Sequence, residues 1–106
     1  MAGKNIVKQN MGPLPFFNDY KIYEGLRIIC NQRKQRMQAI ILEAVQKRYL
    51  ENSKKELTIN DPAVFHSELA DRIKAGGVMG GIKSVAEYIE IACRDYVKAY
   101  FRNFTV

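Results

Sequence analysis

Apolar residues recur along this chain in two arrays that repeat each other. An extended stretch, Leu14-Pro15-Phe16-Phe17, leads into Asn18 and Asp19, and helical spacing follows through Ile22, Leu26, Ile29 and Cys30. After a polar run at 31–36, a second helical stripe carries Met37, Ile40, Ile41, Ala44, Val45 and Tyr49. The order returns from Leu57. Leu57-Thr58-Ile59-Asn60 alternates with period two, and Phe65, Leu69 and Ile73 stand at the offset of 43 from Ile22, Leu26 and Cys30. Val85, Tyr88, Ile89 and Ala92 match Met37, Ile40, Ile41 and Ala44 at an offset of 48. Period two predicts a short strand and period 3.6 a helix, so each array predicts strand, helix, turn, helix.

Local signals bound these elements. Asn18 or Asp19 is placed to cap the first helix, and Asp61-Pro62 opens the third with an N-cap and a proline at the first helical position. Gly76-Gly77 ends that helix, and Ser84 with Glu87 forms a capping box at the start of the fourth. The organisation expected is a flexible basic arm at 1–12, a first repeat at 13–51, a linker at 52–55 and a second repeat at 56–106. Each half is too small to bury an adequate core alone, so the two are expected to share one.

Composition adds limits. The 106 residues, 47% hydrophobic, are those of one folded domain. No apolar run approaches the roughly 20 residues that span a bilayer, and the first residues lack a signal-peptide core, so no membrane association and a cytoplasmic location are expected. Cys30 and Cys93 fall on apolar helix faces and are expected as buried thiols. The net charge of +6 is uneven: residues 1–55 hold 11 basic and 4 acidic side chains, and residues 56–106 hold 6 and 7. A basic half of this kind attracts anionic partners.

Strand, helix, turn and helix in about 40 residues resembles the ribbon–helix–helix family of DNA-binding proteins, the Arc, MetJ and CopG group. The resemblance lies in Tyr23-Glu24-Gly25-Leu26-Arg27 through residues 37–45, which look like the family's two helices, and in Leu57-Thr58-Ile59-Asn60, which looks like its strand. It implies a mainly α fold with a short two-stranded antiparallel β-ribbon, both strands supplied by one chain as a tandem, single-chain pseudo-dimer. Leu14, Phe16, Leu57 and Ile59 would face the helices, and Pro15, Phe17, Glu56, Thr58 and Asn60 would lie outside. An all-helical bundle, with both strands read instead as loops, is the structural rival.

The resemblance implies double-stranded DNA as partner, in a transcriptional or plasmid regulator or an accessory factor of conjugative DNA transfer. Phe17, Thr58 and Asn60 would touch bases. The family's phosphate grip at the start of each second helix falls on Arg36, Met37 and Gln38, with Arg33 and Lys34 close by, and on Lys83, Ser84 and Val85. The outer face of the first strand carries no Arg, Lys or Gln, so binding would lean on phosphates and DNA shape. The alternative is a protein-interaction module, antitoxin-like or adaptor, docking a partner through the aromatic tail of Tyr96, Tyr100, Phe101 and Phe104.

Enzymatic chemistry is not expected. The glycine-rich segment 76–84 has Ile82 where a phosphate-binding loop needs glycine before its lysine. His66, the single histidine, finds no serine and acid grouping. No cysteine–histidine spacing holds a metal, and no cofactor is expected.

Overall fold

A computed structural model describes Phe17 and residues 19–105, with side chains as far as Arg102. Among these residues the chain is all-helical. The helices are α1 (Tyr20–Arg33), α2 (Met37–Ser53), α3 (Phe65–Gly76), preceded by a 3₁₀ turn at Pro62–Val64, and α4 (Val85–Thr105).

The expected caps form. Asp19 accepts the Lys21 amide at 2.9 Å and Asp61 accepts the Ala63 amide at 3.0 Å, the same two-residue reach at both helix starts. Gly77 ends α3 with φ of 64°, a conformation that costs glycine nothing. Ser84 Oγ accepts the Glu87 amide at 3.1 Å, while the Glu87 carboxylate reaches back to the Lys83 amide at 3.3 Å. α2 runs on through Ser53, so helix occupies the first half of the expected linker.

The repeat is visible in the helices and in their burial. α2 and α4 begin at Met37 and Val85, 48 residues apart. Ile40, Ile41, Ala44 and Val45 are buried, and so are their counterparts Tyr88, Ile89, Ala92 and Cys93. Leu26 and Leu69, at the offset of 43, are both fully buried.

Contacts fix how the halves combine. Tyr96 donates to Glu43 and Tyr88 to Asn52, so α2 and α4 run antiparallel, one number rising as the other falls. Asp19 meets Glu90, Gly25 meets Val97 and Gln32 meets Tyr100, so α1 runs alongside α4 in the same direction. α3 lies against α2, with Gly76 on the Tyr49 ring. The first helix of each half therefore packs on the second helix of the other, and neither half encloses a core by itself.

The β-ribbon expected from the sequence is not formed. Among the described residues there is no strand, and 56–60 is an irregular segment between α2 and α3. The reason lies in its carbonyls. Gln46 Nε2 on α2 donates to the Leu57 oxygen at 2.8 Å, and Arg72 Nη1 on α3 donates to the Thr58 oxygen at 3.0 Å. Side chains supply the bonds that a ladder partner would have made. Leu57 is buried and Ile59 packs on the core, with Thr58 and Asn60 exposed, so the alternation survives without pairing. Leu14, Pro15 and Phe16 of the other expected strand lie outside the described residues, as does the arm at 1–12. Among the described residues, the helix-plus-ribbon, tandem ribbon–helix–helix architecture is thus replaced by four helices around one core. No helix among the described residues is long and apolar enough to cross a membrane.

Candidate nucleic-acid interface

The basic turn between α1 and α2 is built by an unusual helix ending. Lys34 closes α1 in the left-handed region at φ of 56°, its amide bonded to the Cys30 carbonyl. A non-glycine residue there is uncommon and sterically disfavoured. The chain then returns to helix at Met37 with Arg36 as N-cap, and Arg36 provides no side-chain cap. Bonding to the Arg36 carbonyl begins with the Ala39 and Ile40 amides, at 3.0 and 3.2 Å. The amides of Met37 and Gln38 precede the first intrahelical bonds, as first-turn groups do. The first turn of α2 also holds no acid. The helix start therefore keeps its partial positive charge, beside the guanidinium of Arg36 and the ammonium of Lys34.

The three cations of this turn do different things. Arg33 is tied into the fold, bonding the Glu43 carboxylate at 3.2 Å and the Tyr96 hydroxyl. The bonded Glu43 raises its already high pKa. Lys34 and Arg36 are exposed and form no ion pair with any described residue. The turn thus presents two available cations, not three.

The second expected anchor is different in kind. Lys83, Ser84 and Val85 do stand at the start of α4, but the Glu87 carboxylate takes the Lys83 amide and Ser84 Oγ takes the Glu87 amide. An acid sits where an anion would bind. In an antiparallel pair, the starts of α2 and α4 also lie at opposite ends, about 25 Å apart at 1.5 Å per residue. The two clusters expected to meet phosphate are therefore separate, and only the one at α2 has no acid in its first helical turn.

The expected base contacts fare unequally. Phe17 is 8% exposed and belongs to the hydrophobic core, so its expected outward position is corrected. Burying a phenylalanine removes far more apolar surface from water than an outer ribbon face allows. Thr58 and Asn60 are exposed on the 56–60 segment.

One feature of the site is not written in any local motif. A groove of about 260 Å³ opens beside the start of α2, floored by Ala39, Leu42, Ile59, Pro62 and Phe65 and rimmed by Gln35, Arg36 and Gln38. It joins residues up to 30 positions apart, and only the polar run 31–36 hinted at its rim. Chemically, the rim offers amide and guanidinium donors around an apolar floor.

The aromatic tail is largely used inside the molecule. Tyr96 bonds Glu43 at 2.9 Å, Tyr100 donates to Gln32 at 2.8 Å and stacks edge-on against Phe101, and all three pack on the core. The Phe104 side chain lies outside those described. No family model, curated protein or solved structure matches the chain.

Proposed function

We propose that the protein binds double-stranded DNA, as a single chain in the cytosol, gripping the phosphate backbone at the start of α2. The observation that carries the reading is the exposed pair Lys34 and Arg36 beside a helix N-terminus with neither a side-chain cap nor an acid in its first turn. Phosphate fits such a place through amide hydrogen bonds and through charge. The basic excess of the first 55 residues adds long-range attraction.

Without a ribbon, sequence readout by paired strands has no structural basis, and the grip is dominated by backbone contacts. Exposed Thr58 and Asn60 and the rim residues Gln35 and Gln38 are the groups left to touch base edges. A regulatory or DNA-transfer role rested on the ribbon, so the proposal stops at duplex binding. The interaction-module alternative would dock a partner through a tail whose Tyr96, Tyr100 and Phe101 pack, partly buried, against the chain's own core.

Fluorescence anisotropy of a labelled random duplex tests the proposal. The wild-type chain is expected to bind at low salt, and Lys34→Gln with Arg36→Gln to weaken binding. An unchanged affinity in that double variant would remove the site from consideration. Arg33 is left intact because it holds Glu43 and Tyr96.

A further inference from the structure

A second groove, of about 330 Å³, lies where the start of α1 meets the middle of α4, far along α1 from the basic turn. It is lined by Asp19, Lys21, Ile22, Arg94, Val97 and Lys98. Arg94, Val97 and Lys98 share one face of α4 by helical spacing. None of the three cations forms an ion pair with a described residue. The one acid in the lining, Asp19, accepts the Lys21 amide as a helix cap, and behind it the Glu90 carboxylate accepts the Asp19 amide.

The duplication places no cation at the corresponding positions. Lys21 and Ile22 correspond to Val64 and Phe65 at the offset of 43, and Arg94, Val97 and Lys98 to Gln46, Tyr49 and Leu50 at the offset of 48. These residues make separate contacts, not a matching groove: Tyr49 packs on Gly76 at the end of α3, Phe65 lines a groove with Ala39 and Leu42, Gln46 bonds the Leu57 carbonyl, and Leu50 and Val64 are uncharged and exposed. Gathering three positive charges at the start of α1 raises mutual repulsion that a bound anion would relieve.

The ligand follows from the lining. Two ammoniums and a guanidinium offer more donors than one carboxylate can accept, and they match a phosphate monoester with three acceptor oxygens and a charge near −2. Ile22 and Val97 add an apolar wall, and the volume is that of a small-ligand pocket. We propose that this groove binds a small organic phosphate, the phosphate held by Lys21, Arg94 and Lys98 and the apolar body lying on Ile22 and Val97. The site is distinct from the turn at Lys34 and Arg36 and does not rest on the DNA-binding reading.

Adenosine 5′-monophosphate, with adenosine and benzoate as controls, serves as probe in an amide NMR titration of the full chain. Saturable shifts centred on Lys21, Ile22, Arg94, Val97 and Lys98 are expected with the nucleotide, and none with adenosine. Arg94→Gln with Lys98→Gln, both on the helix surface, is expected to weaken the nucleotide at least about tenfold. Lys34→Gln with Arg36→Gln should leave it unchanged. No saturable shift at millimolar nucleotide, equal binding of benzoate, or full affinity in the Arg94/Lys98 variant would overturn the proposal. Thermal melts of both variants show whether the fold is retained, and an amide spectrum matching the wild type keeps the comparison valid.

Discussion

Gly25 on α1 lies so close to Val97 on α4 that a Cβ added to it would stand 2.7 Å from Val97 Cγ1. A second glycine makes a similar approach, although Gly25 itself corresponds to Glu68 at the offset of 43. Tyr49, which corresponds to Val97 at the offset of 48, lies against Gly76 of α3 closely enough that a Cβ there would overlap its ring. In each half, then, the second helix is approached by a glycine from the other half's first helix. These two contacts hold the interlocked arrangement at short range.

Gly25→Ala is therefore expected to destabilise, although alanine is the better helix former. Overpacking of this kind costs about 1–3 kcal/mol. Adding Val97→Ala to Gly25→Ala should recover part of the loss, because it removes the methyl groups that the new Cβ meets. Urea denaturation of the single and double variants measures this, and a fully additive double variant would show that the two side chains do not meet.

Glu90 is a second link between the halves. Its carboxylate, 7% exposed on α4, accepts the Asp19 amide at 2.9 Å at the start of α1. Its counterpart at the offset of 48 is Leu42, so the link exists on one side only. Glu90→Leu is expected to cost about 1–3 kcal/mol, since it strands a partly buried donor. Glu90→Gln keeps an acceptor and should cost less. Equal stability of the two variants would contradict the role of the hydrogen bond.

Much of this was legible in the chain. Asp19, Asp61-Pro62, Gly77 and the Ser84–Glu87 box mark their ends as local chemistry demands, and the offset of 48 matched helix starts and buried positions alike. The segment at 56–60 reads as a strand because an extended stretch with Leu57 and Ile59 inward has the same pattern whether a strand or a side chain satisfies it. The deciding donors, Gln46 and Arg72, stand 11 and 14 residues away from the carbonyls they bind. The basic turn was visible, yet not the ties of Arg33 to Glu43 and Tyr96. The groove of Lys21, Arg94 and Lys98 was invisible, since only packing of α1 on α4 brings them together.

Stability should fall in alkali. Burial and the bonded Glu43 carboxylate push the Tyr96 hydroxyl up to about 12, and burial pushes the Cys93 thiol well above the usual range. Both groups are neutral when protonated and their folded values are raised. Their stability is complete below the ordinary values of about 8.5 for the thiol and about 10 for the phenol, and is lost as pH climbs through the folded ones. Unfolding free energy should decline from about pH 9 upward, and Tyr96→Phe should flatten the decline above about pH 10. A wild-type profile that stays level through pH 11 would refute the assignment.

Lys54 closes α2 in the left-handed region at φ of 64°. Lys54→Gly is expected to stabilise by up to about 1 kcal/mol, because glycine adopts that conformation without the Cβ penalty. The gain should appear as a higher urea midpoint with an unchanged slope. A lower midpoint would show that the glycine's greater unfolded-state freedom outweighs the relief.

The central claim, a phosphate grip at the start of α2, is tested most directly by the salt dependence of duplex binding. Affinity measured from low to physiological salt should fall linearly on logarithmic axes, with roughly 0.9 added to the slope for each phosphate neutralised. The Lys34→Gln, Arg36→Gln variant should bind more weakly and lose roughly two of that slope, while Lys54→Gln with Lys55→Gln, equal in charge, should lose less. No binding by the wild-type chain at low salt, or the same slope in both double variants, would contradict the account.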